Sequence, residues 1–272
     1  MSRVGVIKTN GKNRRRIKIY TSLLSRKRRR KLLEQIIEEF SALPWQDRVK
    51  ALEKYADQSI AFSTSLSYED QVITHLIADQ DTPVKVFTLD TGRLFEETHK
   101  VAQATREKYK NIALETYYPD AQKTQELVAN QGINGFFDSI ENRKNCCGVR
   151  KVEPLNRALD GVNIWISGLR RAHSENREEL PIAELDAGRN IIKFYPLIDV
   201  EEDTLKDYIH QHDIPYNELH DKGFPSIGCA PCTRAISAGE PMRAGRWWWE
   251  QDDAQECGLH MVDGKLVRVK KG

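Results

Sequence analysis

From Glu34 onward, short apolar runs alternate with segments whose apolar residues recur every three to four positions, the rhythm of buried strands interleaved with amphipathic helices. An apolar helix is predicted from Glu34 through Leu52. Ser59 to Phe62 reads as a buried strand, Tyr68 to Ala78 as a helix, and Val84 to Leu89 as the next strand. A helix over Phe95 to Tyr109 and a strand near Ile112 to Tyr117 complete two crossover units. Val162 to Ile166 is a further strand and Asp203 to His212 a further helix. The expected fold is therefore α/β, a parallel sheet flanked by helices, with one body over 34–222 and no internal repeat.

After Gly223 the periodicity weakens, and glycine, proline and aromatic residues crowd a segment that reads as a site-building extension over 223–272. Within it, Leu259 to Val262 and Lys265 to Val269 flank Asp263-Gly264, a pair suited to a two-residue hairpin turn.

Composition narrows the class. A chain of 272 residues with 39% hydrophobic content supports a sizeable core without disulfide staples. No uninterrupted apolar run reaches the ~18 residues of a membrane-spanning helix, so a soluble, cytoplasmic protein is expected. The net charge of +2 hides an asymmetry: the first 33 residues carry thirteen Lys or Arg and no acid, which leaves 29 bases against 40 acids in the remainder. This basic stretch reads as a disordered extension, with a transit peptide or a nucleic-acid-binding arm as the alternatives.

Five cysteines then change the picture. Cys146-Cys147 and Cys229-Ala-Pro-Cys232 are two close pairs, and Cys257 stands alone near the C-terminus. Four thiolates are the usual complement of an iron–sulfur cluster or a structural zinc. Adjacent cysteines diverge along most backbones, which favours the separate corners of a [4Fe-4S] centre; a vicinal disulfide or plain buried thiols remain open. Arg150 and Lys151 follow the first pair, either beside a negatively charged cluster or as solvated charges at a helix start.

Other residues point to an anionic ligand. Ser63-Thr64-Ser65-Leu66-Ser67 joins a strand to a helix, where free backbone N–H groups and the positive helix end receive phosphates, although such serines also serve as simple caps. The Leu89-Asp90-Thr91-Gly92-Arg93 and Gly168-Leu169-Arg170-Arg171 segments end two strands, where open parallel sheets form their ligand crevice. Arg243 and Arg246 are placed to close the same site from the extension. Trp247-Trp248-Trp249 is read as packing the extension onto the core, in preference to stacking on a base. His260, three residues after Cys257, is positioned to lower that thiol's pKa or to contact an anion.

Taken in order, Cys146-Cys147-Gly148-Val149-Arg150-Lys151, Gly228-Cys229-Ala230-Pro231-Cys232-Thr233-Arg234, the Arg243 to Glu250 run and Glu256-Cys257-Gly258-Leu259-His260 resemble the iron–sulfur branch of the adenylyl-sulfate and phosphoadenylyl-sulfate reductases. The resemblance runs from about Glu34 to His260. It implies an adenine-nucleotide α-hydrolase-like fold of the PP-loop type and reduction of adenosine 5′-phosphosulfate to sulfite and AMP, in sulfate assimilation and cysteine biosynthesis. It also implies that Cys257 is the nucleophile, assisted by Lys151 and His260, and forms an S-sulfo intermediate resolved by thioredoxin or glutaredoxin. Cys146, Cys147, Cys229 and Cys232 would bind [4Fe-4S]. Ser63, Thr64, Ser65, Ser67, Leu89, Asp90, Thr91, Gly92, Arg93, Gly168, Arg170, Arg171, Arg243 and Arg246 fall on substrate-contacting segments, and a homo-oligomer is implied.

Two features depart from the resemblance. The basic stretch before Glu34 has no counterpart, and the Ser-Thr-Ser-Leu-Ser loop differs from the Ser-Gly-Gly-x-Asp-Ser of PP-loop ATPases, which speaks for a sulfonucleotide and against ATP. The competing expectations are a 3′-phosphorylated substrate, a PP-loop tRNA thiolase and a metal-stabilised nucleic-acid-binding module.

Overall fold

Residues 27–171 and 180–250 are described by a computed structural model, together with the backbone of the strand pairs at 261–262 and 265–266. Cys257, His260 and the basic residues 1–26 lie outside the described residues.

The described residues open with helix α1 over 27–41, whose Ile36 and Phe40 are fully buried, with Leu32 and Leu33 packed against the same core. Helix thus occupies 27–33, seven residues that the charge pattern assigned to the basic extension. The predicted helix through Leu52 is instead broken. Pro44, which cannot continue a helix, precedes a 3-10 turn at Trp45–Asp47 and another at Lys50–Tyr55.

Six strands form the central sheet: β1 Ile60–Thr64, β2 Lys85–Leu89, β3 Glu115–Tyr117, β4 Ile164–Ile166, β5 Ala183–Asp186 and β6 Ile191–Phe194. Their spatial order is β3-β2-β1-β4-β6-β5, parallel throughout except for β5, which pairs antiparallel with β6 at the edge. Strands covered on both faces should be apolar without alternation, and β1, β4 and β6 are buried along nearly all their length. The β5–β6 hairpin escaped the sequence reading because Lys193 interrupts the apolar run. Its ammonium is buried 3.5 Å from Asp186 and 3.8 Å from Glu184.

The helices that cover the sheet are α2 Tyr68–Asp79, α3 Glu96–Lys108, α4 Ala121–Gln131, α5 Ile140–Cys147, α6 Glu153–Ala158 and α7 Glu202–Gln211. Helix α2 is buried nearly all round, and the amide nitrogen of its polar Gln71 finds its acceptors internally, donating to Thr105 Oγ1 at 2.9 Å and the Pro215 carbonyl at 2.7 Å. Asp120 and Ser139 cap α4 and α5 through Lys123 N and Asn142 N. Between α5 and α6 the chain widens into a π-helix, Gly148–Val152. Met261–Val262 (β7) and Lys265–Leu266 (β8) pair antiparallel across Asp263-Gly264, the hairpin that this dipeptide predicts. No helix of the described residues is long and apolar enough to cross a membrane.

Candidate active site

Successive crossovers run outward from β1 in one direction through β2 and β3, and the chain then returns to place β4 on β1's other side. The carboxyl ends of β1 and β4 therefore splay apart, and a ligand crevice belongs between them. A cavity of ≈ 290 Å³ lies there, bounded by the loop after β1 and by Ser167, Gly168 and Leu169 after β4.

The loop after β1 contributes Ser63, Thr64, Ser65 and Ser67 to the wall. Two of its backbone N–H groups are already engaged within the protein. The Ser65 N–H donates to Asp70 Oδ2 at 2.5 Å and the Leu66 N–H to Thr64 Oγ1 at 3.0 Å. Leu66 adopts a left-handed φ of 62°, a conformation that costs a non-glycine residue ~1 kcal/mol or more and is held here by burial of its side chain. Asp70 also accepts the Ser65 hydroxyl at 2.6 Å and the Gly168 N–H, so one carboxylate clamps both sides of the cavity. Burial pushes the Asp70 carboxyl up to about 6, against the opposing pull of its hydrogen bonds from Ser65 and Gly168. Glu69, next to it on the wall, is neutralised from behind by Arg170, whose Nε donates to its Oε1 at 2.9 Å.

With the Ser65 and Leu66 N–H groups engaged and two carboxylates nearby, positive charge comes from other segments. Lys151 reaches the wall from the π-helix, and Arg243 and Arg246 reach it from the extension. Leu89, Thr91 and Gly168 also line the cavity. The other arginines are turned to different tasks. Arg170 is fully buried on Glu69 and the Val200 carbonyl, and Arg171 donates to the Leu180 carbonyl at 2.9 Å. Arg93 donates to the Ile133 carbonyl and to Asn134 Oδ1, both at 2.8 Å. Asp90 caps its own turn by accepting from Gly92 N at 2.8 Å, and Gly92 supplies the φ of 70° that the turn requires. None of these five lines the cavity.

Residues that the sequence reading did not select complete the wall: Trp165, whose indole N–H donates to Ser63 Oγ at 2.8 Å, Thr98 from α3, and Ser226 to Gly228 from the extension. In the sequence Glu69 and Asp70 read only as acids in a first helical turn, where they favour the helix dipole whatever else they do. Trp165 sits inside an apolar strand and carries no separate signal.

Beside the cavity, the fold closes the gap of more than eighty residues between the two cysteine pairs. Cys146, Cys147 and Cys229 pack against Phe136, Cys232 and Trp247. Thr91 Oγ1 lies 3.2 Å from Cys229 Sγ, and the Ala230 N–H donates to the Arg93 carbonyl at 2.8 Å. Arg150 is buried and not solvated: it bonds the Thr91 carbonyl at 2.7 Å and stands beside Cys146. Burial, and then the neighbouring sulfurs, push the Cys232 thiol up to about 12, and burial also raises Cys146. As free thiols these two are poor nucleophiles. Among the described residues no three His, Cys, Asp or Glu side chains stand close enough to hold a single metal ion. The four sulfurs nonetheless share one apolar pocket with cations at its border, a donor set suited to an iron–sulfur group. Trp247 is fully buried here and Trp249 packs on Phe136 and Phe137, while Trp248 is exposed. Trp247 and Trp249 thus pack the extension, and none of the three tryptophans lines the cavity.

Residues 59–235 match the family model for the phosphoadenosine phosphosulfate reductase domain. A protein of Sinorhizobium fredii (strain USDA 257) named adenosine 5′-phosphosulfate reductase is 51% identical over 76% of this chain and 82% of its own length. A namesake from Rhizobium meliloti is 52% identical over 74% and 76%, and one from Allochromatium vinosum 48% identical over 74% and 78%. Among solved structures, the phosphoadenylyl-sulfate reductase of Candida auris, determined as a phosphate complex, superposes with a TM-score of 0.64 at 26% identity, over 75% of this chain and 96% of the other. The matched span holds all six strands of the central sheet, the serine loop and both cysteine pairs, and on that footing the chain belongs to the phosphoadenosine phosphosulfate reductase family.

Proposed function

We propose that the protein reduces adenosine 5′-phosphosulfate to sulfite and AMP in sulfate assimilation. The observation that carries this reading is the cavity wall, where Lys151, Arg243 and Arg246 face the serine loop after β1 at the topological switch of the sheet. Three cations around a nucleotide-sized crevice suit a phosphosulfate, and guanidinium groups bind its oxygens with a fork geometry unavailable to lysine. The name shared by relatives about half identical to this chain supports the unphosphorylated ribose.

In the chemistry proposed, the Cys257 thiolate attacks the sulfur of the phosphosulfate. A sulfur–sulfur bond forms, the sulfur–oxygen bond to the phosphate breaks, and AMP leaves with its electron pair. The S-sulfocysteine is resolved by a dithiol protein of the thioredoxin or glutaredoxin class, one thiolate of which attacks Cys257 Sγ and expels sulfite; the second thiol closes the partner's disulfide. Electrons balance: S(VI) becomes S(IV) as two thiols become one disulfide. Charge that gathers on the sulfuryl and phosphate oxygens is met by Lys151, Arg243 and Arg246, with His260 assigned to the same task.

Cys146, Cys147, Cys229 and Cys232 are proposed to hold a [4Fe-4S] cluster, which would supply fixed charge beside Lys151 and Arg150. Metal binding would take the protons from thiols whose burial otherwise keeps them on. The decisive experiment is sulfite release from the unphosphorylated and 3′-phosphorylated sulfonucleotides, with thioredoxin as reductant, on anaerobically purified protein and its Cys257→Ser variant. Release from the first substrate, abolished in the variant with binding intact, is expected. Turnover by Cys257→Ser would reject the nucleophile, and preference for the 3′-phosphorylated substrate would reject the substrate.

A further inference from the structure

Arg143 and Glu250 form a bidentate ion pair shut away from water. Nε donates to Oε1 at 2.8 Å and Nη2 to Oε2 at 2.7 Å, with side chains only 1% and 2% exposed. The guanidinium also lies over the Trp247 ring, 4.6 Å from its centroid. Two full charges held without solvent are often no more stabilising than apolar residues of similar volume. What the bidentate pair adds is direction, because it fixes the distance and the plane of the carboxylate together.

Its place in the chain gives that direction a use. Arg143 stands one turn before Cys146 and Cys147 on α5, and the same run continues through the π-helix to Lys151 on the cavity wall. Glu250 follows a segment tied to the second cysteine pair by the Arg234 N–H to the Gly245 carbonyl at 2.9 Å and the Trp247 N–H to the Cys232 carbonyl at 3.2 Å. Cys257 comes seven residues later in the sequence. Seven residues span at most ~25 Å, so the position of Glu250 limits how far from it the thiol at 257 can stand. That limit bears on its effective concentration at the cavity.

We infer that Arg143 and Glu250 are positioning residues: the pair registers the root of the Cys257-bearing segment to the helix run that delivers Lys151. The inference rests on the reading of Cys257 as nucleophile. Neither residue lines the cavity, so their loss should act on the attack and not on nucleotide binding.

The test compares wild-type protein, Arg143→Lys and the apolar double variant Arg143→Met/Glu250→Leu, each purified anaerobically with iron content and melting temperature measured. The double variant keeps the volume filled while removing the direction, so a merely structural role predicts an unchanged rate. The expected result is nucleotide affinity within twofold of wild type and single-turnover S-sulfonation of Cys257 at least fivefold slower in the double variant, with Arg143→Lys in between. S-sulfonation at the wild-type rate in a folded double variant would overturn the inference. Failure of wild-type protein to form any adduct at Cys257 would instead overturn the reductase reading. The anchoring is then read separately from a maleimide dye on Cys257, whose anisotropy should fall when the pair is removed; unchanged anisotropy sinks the anchoring itself.

Discussion

Thr91 Oγ1 sits 3.2 Å from the sulfur of Cys229 while Thr91 itself lines the nucleotide-sized cavity, so a single residue touches both the cysteine cluster and the proposed substrate site. The same hydroxyl accepts the Arg93 N–H at 3.2 Å, and Arg150 holds the Thr91 carbonyl. Loop position and sulfur position are therefore set together. Thr91→Val, which keeps the shape and removes the hydroxyl, should cost ~1–2 kcal/mol in chemical denaturation, whereas Thr91→Ser should be close to neutral. Equal losses in the two variants would assign the effect to packing.

The Asp70 clamp predicts a pH dependence with a defined sign. The folded protein holds the Asp70 proton up to about 6, above the ordinary carboxylate range near 4, so the folded state binds more protons than the unfolded chain between those values. Its contribution to stability is largest below that window and falls as pH rises through it. Binding should run the other way, because only the ionised carboxylate offers acceptors to Ser65 and Gly168 together. Nucleotide affinity is expected to weaken as pH drops below about 6 in wild-type protein, and Asp70→Asn should flatten that dependence in a titration from pH 5 to 8.

Gly168 has no room for a side chain. A Cβ there would collide with the Asp70 carboxylate and press on Glu69 Cβ at 3.0 Å. Gly168→Ala should destabilise the fold by ~1–3 kcal/mol, the ordinary cost of overpacking, and should weaken nucleotide binding at least tenfold because the clamp is displaced. Calorimetry and a binding titration on the same sample separate the two effects.

Removal of one sulfur from the cluster pocket has a visible consequence. Cys229→Ala should yield protein without the brown colour and broad visible absorbance of a ferric–thiolate cluster, and with iron well below four per chain. Colourless wild-type protein carrying stoichiometric zinc would refute the cluster assignment.

Truncation distinguishes the basic extension from the helix that follows it. Deleting residues 1–26 should leave melting temperature and turnover unchanged. Deleting through Leu33 removes Leu32 and Leu33 from the core and should lower stability by ~2–5 kcal/mol, near the loss from one large-to-small core substitution. A nucleic-acid-binding role would appear instead as lost affinity in both truncations.

The sequence alone was enough for the interleaved strands and helices around β1, β2 and β4, for the serine loop and for the division of the cysteines into two pairs and a solitary thiol. Apolar periodicity and short-range spacing are local properties, and each of these features is local. Lys151, Arg243 and Arg246, singled out in the sequence, stand on the cavity wall. What only the tertiary structure decided is how groups distant in sequence satisfy one another. The N–H of Ser65 meets a carboxylate of the protein five residues on, Arg170 neutralises Glu69 across a hundred residues, and Arg143 finds Glu250 on the extension. A buried polar group must have a partner, but which partner depends on the sheet order that brings segments together, and neither composition nor spacing encodes that choice.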